Sequence, residues 1–318
     1  MAGVTDPEIA VLQQHVHGID GTAYAEALRE RLPDVTVRAA RSPDEQRSLL
    51  ATADIATGPR LGPDALDRAE ALALFACVYA GTGHLDTDAF AARDVAVTNA
   101  SGVHAVPVAE YVVGWMVAHA RSFPRALDQQ RRGEWRAYDT RELHGSTATV
   151  VGLGAIGQAV VDRLEAFGME TVGVRHTPAK TSPTATVCGF DEIHEAVADA
   201  AFVVVACPLT ATTRGLIDES VLRTMRTDAV LVNVARGPVV ETEALVAALR
   251  RRGIAGAALD VTDPEPLPSE HPLWSLGNVT ITPHNAGHTP EYFRRRADIL
   301  ARNAARLDTA DPLENRVV

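Results

Sequence analysis

Through the first hundred residues, short β-branched runs alternate with amphipathic stretches. AYAEALRERL carries its apolar residues at helical spacing, whereas VTVRAA, DIATG, LALFACVYAG and DVAVTNAS read as extended segments. Strands separated by helices imply a parallel sheet, because parallel neighbours need a crossover. The rhythm breaks at His104, where HAVPVAEYVVGWMVAHAR reads as a long, largely apolar helix able to join two domains. From Thr147 stronger strands follow, TATVVGLG, ETVGVRH, FVVVAC, AVLVNVAR, IAGAALD and VTIT, with QAVVDRLEAF and TEALVAALRR as helices between them. Six such strands with crossovers make a doubly wound sheet. PEYFRRRADILARNAARL is one helix after that sheet is complete, free to return to the first domain. The pattern therefore predicts an α/β protein in which residues 102–286 form one domain, inserted into a second made of 1–101 and 287–318.

Composition removes several classes of function. Of 318 residues, 46% are hydrophobic and 22% charged, so the chain has the means to bury two cores. No apolar run approaches a membrane span of about eighteen residues, and MAGVTDPEIA lacks the basic-then-apolar pattern of a secretory leader. Three cysteines, Cys77, Cys188 and Cys207, are odd in number and far apart, so neither a disulfide framework nor a metal site is expected, and a reducing cytoplasm fits. A net charge of −11 disfavours phosphate backbones and anionic lipid. Lys180 is the one lysine among 30 basic residues, which fits equally a high-salt habitat or a GC-rich genome.

One motif points to a ligand. Gly152, Gly154 and Gly157 in VVGLGAIGQAV give G-x-G-x-x-G spacing directly after a strand and before a helix that opens with Ala155 and Ile156. The first glycine permits the tight turn, the second lets a pyrophosphate approach the backbone, and the third allows close helix–strand packing. The anion meets free N–H groups and the positive end of the helix dipole. An Asp or Glu normally ends the next strand and binds the ribose hydroxyls of NAD. Here that strand ends Val174-Arg175-His176-Thr177, with no acid at its tip. Arg175, supported by His176 and Thr177, suits a 2′-phosphate, so NADP is the preferred cofactor and NAD a possible one. A bare tight turn and a solvated arginine are the structural alternatives.

Longer stretches, VYAGTGHLD, NASGVHAVPVAE, VVGLGAIG, VACPLTATTRGLID, VNVARGPVVETEALVAAL, AALDVTDPEPLP and TPHNAGHT, occur in the order found in the D-isomer-specific 2-hydroxyacid dehydrogenases. On these motifs the chain resembles that family over nearly its whole length. The resemblance implies two αβα domains, a Rossmann dinucleotide-binding domain inserted into a flavodoxin-like substrate domain, with a cleft between them. It also implies reduction of 2-oxo acids to D-2-hydroxy acids with a nicotinamide cofactor. The family's catalytic residues fall on Arg236, Glu265 and His284.

The chemistry explains those residue types. A 2-oxo acid needs a cation for its carboxylate and carbonyl, and arginine offers a bidentate fork that lysine lacks. The nascent alkoxide needs a proton donor active near neutral pH, which suits histidine, and a carboxylate on the second ring nitrogen orients it. Each residue alone also fits a plainer use: Arg236 a helix cap, Glu265 a solvated loop acid, His284 one of eleven histidines. The resemblance further implies that the backbone around Ala80 and Gly81 binds the substrate carboxylate, together with Arg236 and His284. It implies cofactor contacts from Cys207, Pro208, Thr213, Val234 and Asp260, although Asp260 also fits a turn cap. A homodimer through RALDQQRRGEWRAYDTREL is expected, with Trp135 and Tyr138 as anchors. The rival from another class is a dinucleotide-binding regulator on the same fold, from which measurable turnover of a 2-oxo acid would separate an enzyme.

Overall fold

The computed structural model describes residues 7–13, 15, 16, 19–179, 182, 184–307 and 309–318. The first six residues, on which part of the leader reading rests, and Lys180 lie outside them. The chain forms two compact units, one holding the described residues up to Val103 and from His288 onward, the other His104–Gly287.

In the first unit lie β1 (Glu8–Val11), the antiparallel pair β2 (His15–Val16) and β3 (Ile19–Asp20), then β4 (Thr36–Ala39), β5 (Ile55–Gly58), β6 (Leu74–Cys77) and β7 (Ala96–Thr98). Five of them form a parallel sheet in the order β4-β1-β5-β6-β7, the flavodoxin-like 2-1-3-4-5 arrangement. The interior strand β1, EIAV, between β4 and β5, is not among the extended segments read from the sequence. Its Ile9, Ala10 and Val11, with Leu12 just after it, are buried, and polar QQH follows. The C-terminal helix Tyr292–Ala304 returns to this unit as its pattern predicts. Phe293, Ala297 and Leu300 share a core with Tyr24, Ala25 and Leu28 of the helix Gly21–Arg31.

The second unit carries β8 (Thr147–Val151), β9 (Glu170–Val174), β10 (Thr186–Cys188), β11 (Phe202–Val205), β12 (Val230–Asn233), β13 (Gly256–Leu259) and β14 (Val279–Ile281). Their order is β10-β9-β8-β11-β12-β13-β14, all parallel, which is a doubly wound sheet with a seventh strand added. Alternate residues serve opposite faces: Val203 and Val205 enter one core cluster, Phe202 and Val204 the other. Both faces are covered, so the central strands read as continuous apolar runs. The expected six strands become seven because β10 pairs only with β9 and is partly exposed, so its sequence needs no such run. The linking helix Ala105–Ala120 contributes Val108, Val112 and Met116 to the core that also holds Val160, Val161 and Leu164 of the helix Ala155–Ala166. Among the described residues, no helix is long and apolar enough to cross a membrane.

Candidate active site

The strand order reverses between β8 and β11, and the loops leaving their carboxyl ends meet there. Gly152 follows β8 with φ +102, and a Cβ on it would lie 2.5 Å from the backbone nitrogen of Cys207. A Cβ on Gly157 would lie 1.9 Å from the carbonyl oxygen of Gly152. These two glycines serve backbone approach. Gly154 differs, since a Cβ there would meet nothing within 4 Å. No side chain caps the helix that begins at Ala155, so the N–H groups of Ala155, Ile156 and Gly157 at its start are donors suited to an anion.

Beside this loop lies a cavity of about 520 Å³, lined by Gly152, Gly154, Arg175, His176 and Thr177 and by Cys207, Pro208 and Thr213. Eight expected cofactor residues are thereby gathered on one cavity. Phe190, Thr210 and Thr212 also line it and were not singled out from sequence. Phe190 stacks on His176 with ring centroids 6.4 Å apart, a pairing that only the fold brings about. Arg175 is half-buried, whereas His176 and Thr177 are exposed. The buried hydroxyl of Thr213 donates to the Pro208 carbonyl at 2.6 Å and accepts the Thr210 N–H at 2.8 Å, which holds this loop in shape. Burial pushes the Cys207 thiol up to about 11, so it packs as a neutral group. Val234 is buried beside β11, its N–H donating to the Val205 carbonyl. The open space over Gly154, the uncapped helix start and the half-buried arginine fit a phosphate-bearing dinucleotide.

The expected catalytic side chains stand on loops after β12, β13 and β14. His284 Nδ1 lies 3.0 Å from Glu265 Oε2, and a carboxylate only accepts, so Nδ1 carries the proton in that bond. Glu265 Oε1 accepts the Thr262 N–H at 3.1 Å. Both side chains stay partly open, at 48% and 39% exposure, and no partner occupies His284 Nε2 among the described residues. Arg236 is exposed, its Nη1 donating to the Ala235 carbonyl at 2.6 Å. The following Gly237 packs so closely that a Cβ would lie 2.0 Å from the Thr262 oxygen, which presses the Arg236 turn against the loop bearing Glu265. Ala80 and Gly81 are exposed just beyond β6 in the first unit.

Asp260 is 3% exposed. Its Oδ1 accepts from Thr282 Oγ1 and from the Asn285 N–H, both at 2.7 Å, and its Oδ2 from the Ala286 N–H at 2.9 Å. Its backbone carbonyl accepts the His284 N–H at 2.8 Å. One aspartate thus binds three consecutive N–H groups and fixes the turn on which His284 sits at φ +55. The turn-capping use of Asp260 is therefore present. Thr282 in turn meets the Tyr111 hydroxyl at 2.6 Å. Burial drives that phenol up to about 12, against an opposing pull from the Thr282 bond.

A second cavity, of about 420 Å³, lies at the opposite end of the same sheet, near the amino ends of β12, β13 and β14. It is remote from the expected chemistry and includes His119 and Arg141 in its wall. Burial, followed by the Arg141 charge, lowers His119 to about 4.

Fold and glycine loop together define the class, a doubly wound α/β protein built for a dinucleotide. Residues 113–286 match the family model described as D-isomer specific 2-hydroxyacid dehydrogenase, NAD binding domain. The chain is 33% identical to a D-3-phosphoglycerate dehydrogenase of Methanocaldococcus jannaschii over 91% of this chain, and spans only 56% of that protein. It is 37% identical to a glyoxylate reductase of Thermofilum pendens over 77% of this chain and 74% of the relative. A D-isomer specific 2-hydroxyacid dehydrogenase from Xanthobacter autotrophicus Py2, solved in complex with NADPH and MES, superposes with a TM-score of 0.79 at 31% identity, covering 98% of each chain. The chain belongs to the D-isomer specific 2-hydroxyacid dehydrogenase family.

Proposed function

We propose that this protein reduces 2-oxo acids to D-2-hydroxy acids and prefers NADPH to NADH. The observation that carries the reading is the bond between His284 Nδ1 and Glu265 Oε2, which leaves Nε2 as the open ring nitrogen of a partly exposed imidazole. His284 Nε2 gives its proton to the substrate carbonyl oxygen, and Glu265 orients the ring through Nδ1. Arg236 holds the substrate carboxylate and polarises the carbonyl. The residues up to Val103 and from His288 serve as the substrate domain in this reading. Bound NADPH supplies the hydride. Gly152, Gly154, Ala155, Ile156 and Gly157 would hold its pyrophosphate, with Cys207, Pro208 and Thr213 lining the same cavity and Val234 a further contact. Asp260 acts mainly by holding the His284 turn. The glyoxylate reductase relative and the NADPH-bound neighbour support both halves of the proposal.

NADPH preference rests on Arg175, His176 and Thr177, which line the cavity beside the glycine loop. A charge-assisted pair between guanidinium and a 2′-phosphate is worth about 1.5–3 kcal/mol, or roughly ten- to a hundredfold in affinity. The missing carboxylate adds to selectivity, because an acid there would repel the phosphate. The reading also makes the enzyme a cytoplasmic homodimer, supported by three free thiols and by Phe123, Leu127 and Trp135 exposed on or just after one helix. The test pairs a panel of 2-oxo acids, glyoxylate first, with titrations of NADPH and NADH against the parent and Arg175→Ala. Loss of NADPH affinity with NADH little changed is expected, the gap narrowing as salt rises. A parent that prefers NADH, or that turns over no 2-oxo acid, would refute the corresponding half.

A further inference from the structure

We infer that Tyr111, acting through Thr282 and Asp260, is a positioning residue for His284. The inference rests on the functional reading above only in giving His284 its task; the chain of contacts stands by itself. His284 holds a left-handed backbone at φ +55, a conformation that a non-glycine side chain keeps only when its surroundings impose it. Asp260 imposes it, with its carbonyl on the His284 N–H and its carboxylate on those of Asn285 and Ala286. The carboxylate can do so in one rotamer, and Thr282 Oγ1, at 2.7 Å from Oδ1, holds that rotamer.

Proton counting sets the direction of the remaining link. Both Asp260 oxygens accept backbone N–H groups, and Thr282 Oγ1 donates its one hydroxyl hydrogen to Oδ1. The 2.6 Å contact with Tyr111 must then be a bond donated by the phenol to the threonine oxygen. A phenol that burial keeps protonated to about pH 12 is a dependable donor. Tyr111 sits on the linking helix Ala105–Ala120, one face of which is in the core beside the helix after the glycine loop. The chain Tyr111→Thr282→Asp260 thus ties the His284 turn to the scaffold under the dinucleotide cavity, without Tyr111 approaching a substrate. Phenylalanine would keep the ring and its edge contact with Trp115, and lose the hydroxyl that donates to Thr282 and meets the Trp115 indole N–H.

The test is a double-mutant cycle on the full chain, read as single-turnover reduction of glyoxylate by saturating NADPH. Tyr111→Phe should lower the rate about three- to tenfold and Thr282→Val about tenfold or more, the scale of one or two hydrogen bonds, with NADPH affinity near that of the parent. Because Tyr111 acts only through Thr282, adding Tyr111→Phe to Thr282→Val should change nothing further. Thr282→Ser keeps the hydroxyl and should stay within about twofold of the parent. Amide exchange at Asn285 and Ala286, measured on cofactor-free protein, should quicken in both single variants. Equal factors from Tyr111→Phe in both backgrounds, a parental rate in Tyr111→Phe, or unchanged exchange at the two amides would overturn the assignment. Should the parent reduce no 2-oxo acid, the proposed function falls while the exchange measurement still decides the positioning role.

Discussion

Alanine at Gly157 and alanine at Gly154 are predicted to fail in different ways, and the contrast separates packing from ligand binding. A Cβ on Gly157 would sit 1.9 Å from the Gly152 carbonyl oxygen and 2.9 Å from its carbon. Ordinary carbon–oxygen approach is about 3.3–3.6 Å, so the start of the helix would have to retreat from the strand by about 1.5 Å. Gly152 cannot yield, because its own N–H bonds the Val174 carbonyl at 2.7 Å and its Cβ direction is filled by the Cys207 backbone. Overpacking of this kind costs about 3 kcal/mol or more, against a helix-propensity gain of about 1 kcal/mol for replacing glycine. The net loss of about 2 kcal/mol corresponds to a fall in Tm of roughly 4–8 °C for a domain of 150–250 residues. At Gly154 the methyl meets nothing within 4 Å, so Tm should be kept. It would, however, occupy the space a pyrophosphate needs, and NADPH affinity should fall at least about tenfold. Ligand-free thermal melts and fluorescence titrations with NADPH measure the two effects. Gly157→Ala melting with the parent, or Gly154→Ala binding NADPH as the parent does, would refute this account of the loop.

Replacing His284 by alanine should cut kcat by at least about a hundredfold while NADPH affinity is nearly kept; near-parental turnover would remove it from the mechanism. Arg236→Lys should raise KM and lower kcat together, since the bidentate hold is lost in ground and transition states, and steady-state kinetics will show it. In Glu265→Gln the contact with His284 Nδ1 loses its charge, so kcat should fall about tenfold or more while NADPH affinity is nearly kept; an unchanged kcat would exclude Glu265 as partner. His119 is held neutral in the fold, lowered from 6.5 to about 4, so the unfolded chain takes up its proton first. Stability is therefore intact above about pH 6.5 and declines towards pH 4, by up to about 3 kcal/mol from this group. Urea unfolding at pH 7 and pH 4.5 should show a smaller acid loss in His119→Gln than in the parent.

Much of this protein is legible in the sequence because its strongest signals are local. The runs FVVVAC and AVLVNVAR announce buried parallel strands, since both faces of those strands must be apolar. The glycines at 152 and 157 are dictated by backbone contacts that admit no side chain, and so the loop is visible as spacing alone. The edge strand β10 escapes notice for the opposite reason, pairing on one side only and being too exposed to leave an apolar run. Arg236, Glu265 and His284 are legible as motif positions, but their partnership is not. It takes tertiary folding to bring Glu265 and His284 within 3.0 Å, and to set Thr262 behind the first and Asp260 behind the second. Tyr111 lies 171 positions before Thr282, and Phe190 is separated in sequence from the His176 ring it stacks upon. Side chains that meet across such distances carry no periodicity or spacing, because what joins them is the order of strands in the sheet. Sequence settled which residue types were available, and the doubly wound topology decided which of them touch.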